Sequence, residues 1–193
     1  MSILEVFSDH AEVTVRAARE LPPVLERVVQ ALDHCLSGGN KVFACGNGGS
    51  AADAQHLVAE LIGRFLHDRR ALPAIALTAD AATLTAISND YGYAQVFARQ
   101  LEGLARKGDL LFAISTSGNS SNVLQAAQTA LALGCVVVGM TGEHDSKLAA
   151  LVHPNLLIRA PSTVTARIQE VHTLCIHAIA DSLDTILRQR DAR

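Results

Sequence analysis

His56 and Glu60 stand four residues apart. On a helix that spacing puts both side chains on one face, one turn apart. An imidazole and a carboxylate so placed can bind a divalent cation such as zinc. Taken alone, the pair reads more plainly as two solvated surface residues. Toward the C-terminus, Gln169, Glu170, His172 and His177 share one otherwise apolar segment. Gln169 and His177 are eight residues apart, a rise of about 12 Å on a straight helix. Two such side chains barely converge on one ion. A site using both therefore runs along the helix surface or takes ligands from different subunits. His172 reads first as a satisfied core or surface histidine.

Two short runs carry small residues suited to an anion: Gly46, Asn47, Gly48, Gly49 and Ser50, and then residues 115–120 with Ser115, Thr116, Ser117 and Ser120. Each follows a short apolar run and precedes a helix-like segment. In open parallel sheets, ligands bind beyond the carboxyl ends of the strands. Helix N-termini there present free N–H groups to an anion. Neither run is a GxGxxG fingerprint or a GxxxxGK[ST] loop, which takes support from a nucleotide role. Four hydroxyls in six residues suit one compact phosphate. The plainer alternative for either run is an N-cap with a tight turn. Asn89 and Asp90, before Tyr91 and Gly92, read first as a turn and second as hydrogen-bond partners for sugar hydroxyls. Arg64, Arg69 and Arg70 read first as solvated surface and second as a phosphate screen.

These groups need a scaffold, and the hydrophobic pattern describes one. Residues 2–36 are helix-like but interrupted at Leu21, Pro22 and Pro23, so two helices are expected, the second ending at Gly38 and Gly39. Strand candidates fall at residues 41–45, 72–77, 109–114, 135–140 and 156–159, with helix-like segments between them. Such alternation argues for a parallel sheet covered by helices on both faces. Residues 164–189 form a last long helix. The expectation is a three-layer α/β/α sandwich in one domain over residues 1–193. Its parts are a helical arm at 1–38, an α/β core at 39–160 and a C-terminal helix at 161–193.

Composition agrees. Apolar residues make up 49% of the 193, aromatics only 4% and Trp none, so the core must be aliphatic. The formal charge of -3 comes with no Lys/Arg block, which argues against direct nucleic-acid binding. Cys35, Cys45, Cys135 and Cys175 form no CxxC pair and read as small buried hydrophobes in a reducing compartment. There is no signal-peptide pattern at residues 1–10, and no apolar stretch approaches ~20 residues. The expected location is the cytoplasm.

Several segments together resemble the phosphoheptose isomerases, proteins of the sugar isomerase (SIS) fold. They are GNGGS at 46–50, DAQH at 53–56, ELIGRF at 60–65, LPAIAL at 72–77, LTAISND at 84–90 and FARQ at 97–100. Gly108 and Asp109, residues 115–120, RIQE at 167–170 and His177 complete the set. The resemblance spans roughly residues 10–185. It implies a SIS fold with a five-stranded parallel sheet, and a homotetramer with active sites between subunits. The implied reaction interconverts sedoheptulose 7-phosphate and D-glycero-D-manno-heptose 7-phosphate, for the heptose of the lipopolysaccharide core. It implies one zinc per subunit held by His56, Glu60, Gln169 and His177. It implies substrate contacts at Asn47, Gly48, Gly49, Ser50, Glu60, Asn89, Asp90, Ser115, Thr116, Ser117, Ser120 and Gln169.

An aldose–ketose isomerisation through an enediol needs a base, an acid and stabilisation of oxyanion charge. Glu60 and His177 are the candidates, with His177 favoured as base. The chain departs from the family in two places. Thr141 and Gly142 are followed by Glu143 where a Gly pair is common, and position 166 is Ala where some members carry Asp. A related SIS protein is a non-enzymatic adaptor for the bacterial replication initiator, and that is the competing class. It lacks the acid and the histidine that this chain keeps at positions 60 and 177.

Overall fold

The computed structural model describes residues 2–191. Helix α1 (Ile3–Glu20) starts at a capping box in which the Ser2 hydroxyl accepts from the Glu5 N–H and the Glu5 carboxylate accepts from the Ser2 N–H. It ends where expected, because Pro22 takes the first position of α2 (Pro22–Ser37), where its missing N–H does no harm. Five strands follow: β1 (Val42–Cys45), β2 (Ala74–Ala76), β3 (Leu110–Ile114), β4 (Val136–Thr141) and β5 (Leu157–Arg159). They form one sheet in the order β2-β1-β3-β4-β5, and every pairing is parallel.

Alternate side chains of each strand feed two separate cores. Val42, Ala44, Leu110, Phe112 and Ile114 pack with residues of α1, α2, α3 (Gly49–Ile62) and α8 (Thr165–Asp191). Phe43, Cys45, Leu111 and Ala113 pack on the other face. That second core is closed by residues around α4 (Ala81–Tyr91), α5 (Ala98–Leu104), α6 (Ser121–Ala132) and α7 (Lys147–Leu151). All five β3 residues are fully buried, as a central parallel strand requires. The layering is the expected α/β/α sandwich.

One buried charge ties down two strand starts. Asp109, almost fully buried, accepts from the Lys41 N–H at 2.9 Å, the Arg106 N–H at 2.7 Å and Lys41 Nζ at 2.8 Å, and so fixes the starts of β1 and β3. The four cysteines are free and buried. Desolvation pushes the Cys45 and Cys175 thiols up to about 12, which keeps them unreactive. One expectation changes: Asn89 and Asp90 are the last turn of α4 and not a free turn, and Gly92, at φ +83°, ends the helix. Among the described residues, no helix is long and apolar enough to cross a membrane.

His172 is completely buried on α8, with Nε2 3.1 Å from the Thr141 carbonyl oxygen. Desolvation pulls its pKa from the ordinary 6.5 down to about 4. The unfolded chain therefore binds a proton between those values that the folded chain refuses. Stability is full above the unfolded pKa and falls as pH drops from about 6.5 to about 4, by on the order of 3 kcal/mol. Denaturant melts at pH 7 and pH 4.5 should show this loss, and His172→Gln should flatten that part of the profile.

Candidate active site

The strand order reverses between β1 and β3. The chain leaves β1 through α3 toward β2 on one side, and leaves β3 through α6 toward β4 on the other. Crossovers of one hand that run in opposite directions put their helices on opposite faces of the sheet. The carboxyl ends of β1 and β3 therefore open into a crevice, and both anion-like loops lie there.

Asn47 and Asn122 join the two loops. Asn47 Nδ2 donates to Asn122 Oδ1 at 2.8 Å, and Asn122 Nδ2 donates back to Asn47 Oδ1 at 2.8 Å. The Tyr93 hydroxyl donates to the same Asn47 oxygen at 3.1 Å. Asn122 is 2% exposed. Around it, Ser115 Oγ lies 3.1 Å from Ser120 Oγ and 3.5 Å from Ser117 Oγ. Ser120 is the N-cap of α6, and Gly118, at φ +63°, makes the tight turn before it. Ser115 and Ser50 are buried, while Thr116 is partly and Ser117 largely open. Gly48 and Gly49 begin α3 with exposed backbone.

On the other side of the crevice, α3 lies against α8 with matched positions. At the head of the pair the Gln169 amide lies directly over Gly49, where a Cβ would displace it. One turn on, the Thr173 hydroxyl donates to Asp53 at 3.0 Å. Burial pushes the Asp53 carboxyl above its ordinary value, against the opposing pull of Thr173 and His56. After another turn, His56 meets His177, with their Nε2 atoms 3.2 Å apart. Glu60 Oε1 lies 3.0 Å from the same His56 nitrogen. Phe65 packs on the His177 ring at 5.4 Å between centroids.

His56, Glu60 and His177 thus offer three donor atoms within 4.8 Å of one another, all from one chain. The Gln169 amide lies beside Gly49 at the head of α3. The cluster fits a zinc ion on two counts. Zn–N bonds of about 2.05 Å at tetrahedral angles give a ligand–ligand edge of roughly 3.3 Å, close to the 3.0 and 3.2 Å found here. The hydrogen bonding also leaves a gap. One proton on His56 Nε2 cannot serve both a carboxylate and a second imidazole nitrogen, whereas a cation between the three satisfies every lone pair.

Residues 7–142 match the SIS domain family. The phosphoheptose isomerase of Shewanella loihica is 47% identical over 190 residues, covering 98% of this chain and 96% of that protein. The chain belongs to the phosphoheptose isomerase family. Two solved members agree in fold. The enzyme of Neisseria gonorrhoeae superposes with a TM-score of 0.90 at 41% identity, covering 95% of this chain and 97% of its own. That of Francisella tularensis gives 0.91 at 38%, covering 96% and 100%. As a member of that family, the chain is an isomerase.

Asn122, Tyr93, Thr173 and Asp184 are absent from the candidates above, and Arg69 stands among them as a surface residue. Arg69 is buried, its side chain 4% exposed against Asp184 at 1%. Arg64 and Arg70 are exposed, as expected. Asp53 and Thr173 share a helix-like face with His56 and His177, and that shared face was the available signal.

Replacing Asn122 with an apolar residue leaves the half-buried Asn47 Nδ2 without its partner, worth about 1–3 kcal/mol. Asn122→Leu should therefore weaken sugar-phosphate binding roughly tenfold or more by calorimetry. An unchanged Kd in the folded variant would show that the loops hold their places without the bridge.

Proposed function

We propose that the chain interconverts sedoheptulose 7-phosphate and D-glycero-D-manno-heptose 7-phosphate in the cytoplasm, supplying heptose for the lipopolysaccharide core. The observation that carries this reading is the His56–Glu60–His177 cluster beside two anion-type loops, in a chain 47% identical to phosphoheptose isomerases. On this reading residues 1–193 act as one unit.

The phosphate lies across Ser115, Thr116, Ser117 and Ser120 with the Gly48 and Gly49 backbone, and Ser50 supports it from below. Its charge meets the N-terminal ends of α3 and α6. Asn47, Asn89, Asp90 and Gln169 take the sugar hydroxyls. Asn47 has its amide already committed to Asn122 and Tyr93, so its backbone is the part that faces substrate.

His56, Glu60 and His177 would hold zinc, one per subunit, with Gln169 as the fourth ligand. When bound, zinc supplies Lewis-acid polarisation of the substrate oxygens. His177, as the base, takes the proton from the carbon next to the carbonyl. Glu60, as the acid in its protonated form, gives a proton to the carbonyl oxygen. Reversing these transfers at the neighbouring carbon completes the isomerisation.

Two surfaces support a homo-oligomer, a tetramer in the family pattern, with sites completed between subunits. Helix α4 carries Asn89 and Asp90, has no fully buried residue and exposes Tyr91. Ile3, Leu4 and Phe7 of α1 are 81%, 76% and 69% exposed. The initiator-adaptor reading gains nothing from the relatives above, which are named isomerases.

Turnover of sedoheptulose 7-phosphate should vanish on chelation and return with zinc. Glu60→Gln and His177→Gln should each lower kcat by roughly 10²–10⁴-fold. A zinc-loaded wild type that turns nothing over and binds the replication initiator would overturn the reading.

A further inference from the structure

The geometry points to Arg69 as a positioning residue that clamps the last turn of α3 to α8 and so sets where Glu60 stands relative to His177. The last carbonyls of a helix have no partner within it. At the end of α3, the Ala59 carbonyl accepts from the Gly63 N–H at 2.9 Å. The next two accept from one guanidinium: Arg69 Nη2 donates to the Glu60 carbonyl at 2.6 Å, and Nη1 donates to the Leu61 carbonyl at 2.9 Å. Nη1 also donates to the Arg70 carbonyl at 3.1 Å, which closes the connecting loop onto itself. The remaining edge, Nε, donates to Asp184 Oδ1 of α8 at 2.6 Å.

The clamp reaches both sides of the cluster. On α3 it holds the backbone of Glu60 itself. On α8 it holds a residue seven positions after His177, two turns along the same face. Before the cluster, Thr173 and Asp53 already join the two helices at 3.0 Å. The His56–Glu60–His177 group is therefore pinned on either side, and Arg69 is the pin after it. Guanidinium is the group this geometry calls for. It covers two carbonyls and a carboxylate at once with a rigid fork, and its charge faces the negative end of the α3 dipole. A lysine has the charge without the fork.

This inference rests on the zinc reading above, and the test separates the two. Wild type and Arg69→Lys are titrated with zinc against a competing chelator, and kcat and KM are measured on sedoheptulose 7-phosphate. We expect zinc affinity to fall about 10- to 100-fold, as for other residues that orient ligands. We expect kcat to fall with it while KM stays near wild type, because the phosphate loops are untouched. Should Arg69→Lys fold poorly, Arg69→Met with Asp184→Leu replaces the buried ion pair by apolar groups of similar size and keeps packing. That double variant should still bind zinc weakly, with faster hydrogen exchange in the last turn of α3. Wild-type zinc affinity and kcat in either folded variant would overturn the clamp. Failure of the wild type to bind zinc would sink the metal reading instead, and the kcat-against-KM split would then decide the clamp alone.

Discussion

The site depends on one packing constraint, the parallel register of α3 against α8. Both helices follow strands of the same sheet, and a helix that returns over a parallel sheet runs against its strand. The two therefore run in the same direction. Their contacts pair Gly49 with Gln169, Asp53 with Thr173, His56 with His177, and Glu60, through Arg69, with Asp184. Steps of three, four or seven residues keep each series on one face. A slip of one turn would bring His56 opposite Thr173 and dissolve the cluster. The Gln169 amide lies over Gly49 at the head of the pair, and the buried Arg69–Asp184 contact closes it at the far end.

The sheet supplies the second constraint. Strand order reverses between β1 and β3, so α3 and α6 fall on opposite faces and their N-termini border one crevice. On the proposed reading, a phosphate there meets two helix ends and a row of hydroxyls. The Asn47–Asn122 amide pair fixes the separation of the loops. Burial matters to that bond, since an amide exchanging with water would hold nothing in place. Tyr93 extends the link toward the end of α4, where Asn89 and Asp90 lie.

Charges that are buried here have assigned work. Asp109 gathers three donors at the strand starts, and Arg69 covers the α3 carbonyls. His172, neutral in the core, stands apart from the chemistry despite its place between Gln169 and His177 in the sequence. It points to the sheet side, toward Thr141, while its neighbours point toward α3.

Much of this was legible in the residues. Hydrophobic period gave the five strands and the flanking helices, because a parallel strand buried on both faces must be almost wholly apolar. Pro22 marked the break between α1 and α2 because its ring forbids a continuing helix. The four-residue spacing of His56 and Glu60 placed them on one face, because helix geometry is local. What the sequence alone could not determine was which distant side chains meet. The spacing of Gln169 and His177 along α8 left open whether they serve one site, and the packing register sets His177 on His56 and the Gln169 amide beside Gly49. Arg69 looked like a surface residue because local pattern says nothing of a partner 115 positions away. Local chemistry chose the elements; burial between α3 and α8, a property of the folded chain, chose the partners.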